Sequence, residues 1–227
     1  MRTRGCWLAG LLGLGVAAMS WAADSVSPKP VAAARIHHVV KNQDFRILAH
    51  PRRSTPGQTE VVVFFWYGSP WAARAEPALR AWVEQGRAPS NVVVRFVPVV
   101  NQADWAFSAR VFYALDRLGL ERSITPRLLQ AVQRKAVDLQ SPRSVLAWLQ
   151  AQGVPGPGFE EAINHPLVVA RVSGLPLVAR AHEVRSIPTF VIDGRYHIAA
   201  TDRVTPERAA AVAMFMAEKL SQGGSRP

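Results

Sequence analysis

Apolar residues fall along this chain in two rhythms. Three short runs are apolar on nearly consecutive positions and rich in β-branched and aromatic side chains: Glu60 to Tyr67 (EVVVFFWY), Asn91 to Val100 (NVVVRFVPVV) and Thr189 to Ile192 (TFVI). Without polar alternation, each predicts a strand buried on both faces, as in the middle of a sheet covered on both sides. Asp44 to Leu48 predicts another short strand. Asp193-Gly194 predicts a tight hairpin turn leading into an antiparallel strand over Arg195 to Ala199.

The second rhythm is helical. Trp105, Ser108, Val111, Phe112, Leu115 and Leu118 recur at a 3.6-residue period and stop before Gly119. Four hydroxyl–proline pairs read as helix starts: Ser69-Pro70, Thr125-Pro126, Ser141-Pro142 and Thr205-Pro206. The hydroxyl accepts from backbone N–H groups that no helical carbonyl reaches, and proline at the first helical position loses no hydrogen bond. Helices are predicted from Pro70 to about Gln85, Pro126 to Leu139, Pro142 to Gln152 and Pro206 to about Ser221. Leu167 to Val184 also reads as helix, with a kink or split expected at Gly174 and Pro176.

Composition narrows the class. At 227 residues and 49% apolar content the chain fills a real core. With one cysteine it is neither a disulfide-dense miniprotein nor a cysteine-ligated zinc module. The formal charge is +11, and 23 of the 27 basic residues are Arg. The longest basic run is Arg52-Arg53 and no basic–aromatic repeat exists, so no nucleic-acid partner is expected. The histidines (His37, His38, His50, His165, His182, His197) stand apart, with no metal-ligand spacing and no hydrolase signature. Neither metal nor cofactor is expected.

The amino terminus reads as an address. Arg2 and Arg4 precede an apolar stretch from Trp7 to Ala18, and Ser20-Trp21-Ala22 supplies small residues where a signal peptidase reads. Residues 1–22 are expected to be a cleaved signal peptide and 23–39 a flexible leader, placing the mature protein in the periplasm without stable membrane insertion. Cleavage would leave 25 basic against 16 acidic residues, a net of +9, and would remove Cys6. The exported chain would then carry no thiol.

Two segments carry a resemblance. Phe64-Phe65-Trp66-Tyr67-Gly68-Ser69-Pro70-Trp71-Ala72 is similar to the active-site segment of DsbA-type periplasmic thiol:disulfide oxidoreductases, where paired aromatics end a strand and the helix opens with Cys-Pro-His-Cys. Arg185 to Gly194 (RSIPTFVIDG) resembles the family's cis-proline loop and the strand and turn that follow it. The element order agrees: a βαβ unit and a ββα unit separated by helices. The fold implied is α/β, thioredoxin-like with an inserted α-helical domain. The halves are expected at 40–101 and 171–227, with the insert at 102–170.

At four positions the chain departs from the family's pattern. Ser69 stands at the position of the nucleophilic cysteine, Ala72 at that of the resolving cysteine, and Trp71 at that of the central histidine. The family's buried acid falls at Val63 when the strand aligns without gaps. Dithiol exchange needs a thiolate to attack and a second thiol to resolve the mixed disulfide. Serine and alanine do neither, so no catalytic residue is assigned at Ser69, Pro70, Trp71 or Ala72, and Ser69 reads as a helix cap. By the resemblance, Pro188 is cis and exposes the backbone of Ile187 for pairing with an extended peptide, a mode that needs no sulfur. Trp66 is expected in the core. Trp71 belongs either at the rim of that peptide groove or against the helical insert.

The expected protein is therefore a cysteine-free DsbA-like member that binds an unfolded polypeptide or an envelope protein through Ile187, Pro188 and Trp71. Two alternatives remain: interchange with thiols supplied by another protein, and a purely structural interaction module.

Overall fold

Residues 36, 38–52 and 55–223 are described by the structure, a computed structural model. The signal segment with Cys6, and most of the leader, lie outside the described residues. Five strands form a single sheet: β1 (Arg46–Ile47), β2 (Thr59–Phe65), β3 (Val92–Pro98), β4 (Thr189–Ile192) and β5 (Tyr196–Ala199), in the order β1-β5-β4-β2-β3. β2 and β3 run parallel, joined through helix α1 (Pro70–Glu84); the other neighbours are antiparallel. Helices α2 (Trp105–Arg117), α3 (Glu121–Gln133), α4 (Pro142–Ala151), α5 (Gly156–Asn164) and α6 (Pro166–Ala181) are inserted between β3 and β4, and α7 (Pro206–Ser221) closes the chain.

Side-chain direction along β2 explains the layers. Val61 and Val63 face a core shared with Phe190, Ile192 and the α1 and α7 residues Leu79 and Val212. Val62 and Phe64 point the other way, toward Leu48, Val191 and Ala179 of α6. Period-2 alternation places successive residues on opposite faces, so a strand covered on both sides needs an unbroken apolar run. β2 and β4 satisfy that expectation. β3 does not: it is an edge strand, paired only with β2 and half-exposed over most of its length. Its run of valines suits a pleated surface as well as a buried one.

Three hydroxyl–proline pairs begin helices. Ser69, Ser141 and Thr205 each accept a backbone N–H from three residues ahead. Thr125-Pro126 does not, because α3 starts five residues earlier at Glu121 and carries Pro126 inside it. Tertiary contacts extend that helix upstream: the Thr125 hydroxyl is held by Tyr67, and Glu121 by Arg80. The helix ends at Gln133 and not at Leu139. α6 is one element from Pro166 to Ala181 with Pro176 inside it, where a kink or split was expected. Its cap, His165, whose Nδ1 accepts from the Leu167 N–H at 3.2 Å, and the short α5 were not foreseen.

The predicted hairpin turn is present. Asp193 and Gly194 both have positive φ, 50° and 57°. A Cβ on Gly194 would lie 2.8 Å from the Arg52 carbonyl oxygen, so only glycine fits.

Candidate functional site

The site is assembled where β2 ends, α1 begins and the loop before β4 returns. Leaving β2, the chain turns at Trp66–Gly68, and the Ser69 N–H donates to the Trp66 carbonyl at 3.0 Å. The Trp66 indole lies against Gly68, where an added Cβ would meet its ring at 2.2 Å. Its partner is Trp105 of α2, stacked at 4.1 Å between centroids and 7° between planes. Trp66 is therefore half-buried in a stack over the turn and is not a core residue as expected. Nothing in a strand-like run of aromatics tells which of them continues the strand and which caps its end.

Ser69 is 8% exposed, and its hydroxyl accepts from the Ala72 N–H at 3.2 Å. Among the described residues no histidine hydrogen-bonds it, so the oxygen serves the helix start. Ala72 is 2% exposed and forms one wall of a small cavity of about 10 Å³ with Val63, Phe65, Glu76, Pro188 and Phe190. That volume is at most the room of one water. The cavity brings two predicted positions together, Ala72 from α1 and Pro188 from the returning loop. Trp71 does not join them: half-buried, it packs on the core of the sheet and α7, not on the insert.

The Ile187–Pro188 peptide bond is cis. Around it the carbonyls of both neighbours are occupied: that of Ser186 accepts from the Thr189 hydroxyl at 2.7 Å, that of Pro188 from the Ala200 N–H at 3.0 Å. Between them, the Ile187 N–H and C=O have no hydrogen-bond partner among the described residues. Ile187 itself is half-buried, in the bend that precedes β4. The loop is fastened behind by Glu183, which takes Arg46 and the Ala49 N–H (2.8 Å) while its carbonyl meets His197 Nε2 at 3.2 Å. The Ala49 N–H and then Arg46 hold the Glu183 carboxyl below its usual range. Burial, and then Arg46, push His197 down to about 4.

Beneath the turn lies a group of charges that motif reading missed. Glu76 and Arg80 of α1 are 6% and 9% exposed, and Arg80 pairs with Glu76 on its own helix and with Glu121 of α3 at 2.6 Å. The guanidinium also covers the Phe96 ring at 4.5 Å. Burial raises the Glu76 pKa above the ordinary carboxylate value, although Arg80 opposes it. Burial disfavours the Arg80 charge, but Glu76 and Glu121 outweigh it and leave the group more basic than usual. Val63, aligned with the family's buried acid, is a buried apolar wall residue; the carboxylate on that cavity comes from Glu76. The i, i+4 spacing of Glu76 and Arg80 was the available signal, but it reads equally as a surface pair.

Tyr67 ties the turn to the insert. Its fully buried hydroxyl is 2.8 Å from that of Thr125, and its carbonyl accepts from Gln133 Nε2 at 3.1 Å. Burial pushes the phenol well above its usual pKa, so it stays neutral. The chemistry on offer is hydrogen bonding and apolar contact. Among the described residues no group of three His, Cys, Asp or Glu side chains is placed to hold a metal ion.

No family model matches the chain. Its curated relatives do agree with one another. It is 30% identical over 188 residues to the thiol:disulfide interchange protein DsbA of Burkholderia cepacia, covering 82% of each chain. To the protein of that name from Azotobacter vinelandii it is 26% identical over 209 residues, 92% of this chain and 94% of the other. Among solved structures, the oxidoreductase DsbA of Xylella fastidiosa superposes with a TM-score of 0.70 at 25% identity, over 82% of this chain and 98% of that one. Pseudomonas aeruginosa DsbA shares the fold, with a TM-score of 0.72 at 24% identity, over 82% of this chain and 96% of that one.

Proposed function

This chain belongs to the DsbA family, and from that premise we propose that it binds extended polypeptide segments without thiol–disulfide turnover. The observation that carries the reading is the main chain of Ile187, without a hydrogen-bond partner among the described residues, together with a helix start in which Ser69 and Ala72 stand at both cysteine positions. An incoming strand donates to and accepts from Ile187, and its side chains lie over Pro188 and the opening of α1. Backbone pairing is indifferent to client sequence, which suits unfolded exported proteins or a segment of an envelope protein. The periplasm is the proposed compartment, reached through cleavage near Ala22, after which the chain holds no sulfhydryl.

The structural-module alternative draws support from Trp71, which packs on the core of the sheet and α7 and not at the Ala72–Pro188 cavity. A photoreactive residue in place of Arg185, exposed and two positions before Ile187, separates the readings. Peptide binding predicts crosslinks to a reduced, unfolded polypeptide that decrease when an unlabelled extended peptide competes; no crosslinking would overturn it in favour of the structural module. In parallel, the chain from residue 23 is expected to leave dithiothreitol-driven insulin reduction at the rate without protein. A faster rate would show that thiol chemistry persists and would defeat the non-catalytic reading.

A further inference from the structure

α6 has two unlike faces. Val168, Val172, Leu175 and Ala179 are buried against the insert and the sheet. On the opposite side a surface helix ordinarily presents charge. Here it presents Leu167 and Leu177, 69% and 71% exposed, with Pro166, Ala170 and Val178 also exposed beside them. The helix contains no Asp or Glu. At about 100° per residue its only charges, Arg171 and Arg180, fall on the two opposite margins of this apolar ridge. Arg171 sits over the Tyr113 ring at 4.3 Å and 3.6 Å from Asp116, while Arg180 has no carboxylate partner among the described residues.

We propose that the outer face of α6 is a docking surface for an anionic lipid bilayer, with Leu167 and Leu177 entering the acyl boundary and the flanking arginines meeting lipid phosphates. This goes beyond the peptide-binding reading and does not depend on it. The charge pattern selects the occupant. A second copy would set the Arg180 margin of each ridge against an α6 that carries no carboxylate to receive it. An extended peptide needs a groove or an open strand edge, whereas this face is the convex side of a helix. A bilayer yields to a convex apolar ridge, and its phosphates complement arginines at the ridge margins. The net charge of +9 on the chain from residue 23 adds long-range attraction to such a surface. The contact is peripheral: among the described residues no single helix is long and apolar enough to cross a membrane, and α5 with α6 passes that test only as a pair bent by 52°.

The test is vesicle flotation with the chain from residue 23, which retains every described residue. Vesicles of phosphatidylcholine alone are compared with vesicles containing about one-third phosphatidylglycerol. The expected result is binding to the anionic vesicles only, weakened by salt. Replacing both leucines (L167Q with L177Q) should lower affinity on the order of tenfold or more, and R180Q should lower it several-fold. Both variants change exposed side chains, and unchanged circular dichroism melting checks that they fold. The proposal is overturned by absence of binding to either vesicle, by equal binding to neutral vesicles, or by anionic binding that the leucine variant leaves intact. A concentration-dependent dimer, lost in the leucine variant and without lipid binding, would also overturn it and assign the face to a second copy.

Discussion

The first turn and the middle of α1 are built on different terms. At its first turn, Ser69 to Ala72 holds only a cap, a proline, a half-buried indole and a methyl group, although curated relatives of this chain are thiol:disulfide interchange proteins. One and two turns further on, Glu76 and Arg80 pair in the interior, and Arg80 reaches across to Glu121 of α3. The first turn can lose its reactive atoms because a helix start asks only for an acceptor and a residue that needs no hydrogen bond. Arg80 cannot be removed alone without leaving Glu76 and Glu121 unpaired in a medium of low dielectric. Chemistry resides in side chains that the fold does not require, while docking of the insert resides in side chains that it does.

The strongest way to break this contrast is Arg80→Ala. It strands two carboxylates whose side chains are 7% and 13% exposed, and should cost about 3–5 kcal/mol in urea unfolding. A loss below about 1 kcal/mol would mean that the charges are solvated and the contrast is false. Next in size is Ser69→Ala, which removes the cap acceptor and should cost about 1 kcal/mol, with peptide crosslinking unchanged. If crosslinking disappeared while the fold persisted, the hydroxyl would have a role beyond the cap.

Smallest, and opposite in sign at neutral pH, is Glu76→Gln. The folded-state pKa of Glu76 lies above the unfolded value, so the unfolded chain releases this proton first as pH rises. The contribution of Glu76 is fully present below the unfolded pKa and is lost as pH rises through the folded one. The glutamine variant keeps a neutral group throughout. It should match the parent in acid and gain on it toward neutral pH, which unfolding midpoints at several pH values would reveal. A variant less stable at neutral pH than in acid, relative to the parent, would show that the Arg80 attraction outweighs burial.

Much of the frame was readable because its signals are local. Ser69-Pro70, Ser141-Pro142 and Thr205-Pro206 cap helices by chemistry that acts within three residues, and the Asp193-Gly194 turn depends on backbone freedom at two positions. Thr125-Pro126 misled for the same reason in reverse. The pair is chemically able to cap, but Tyr67, distant in sequence, had claimed the hydroxyl for the inside of α3. The valines of β3 and the indole of Trp66 were misread because hydrophobicity says that a residue seeks cover and not which neighbour supplies it.

What sequence alone determined is the absence of a Cys-x-x-Cys pair, since no folding supplies a sulfur atom that the chain does not contain. It also determined the order of strands and of most helices, since period and capping are properties of short segments. Only the tertiary structure decided that Ala72 and Pro188 share a cavity, that the Ile187 main chain has no hydrogen-bond partner among the described residues, and that Glu76, Arg80 and Glu121 meet. It alone left one side of α6 apolar and uncovered. These are relations between residues up to more than a hundred positions apart, and a partner's distance in space is not encoded in any window of the chain that joins them.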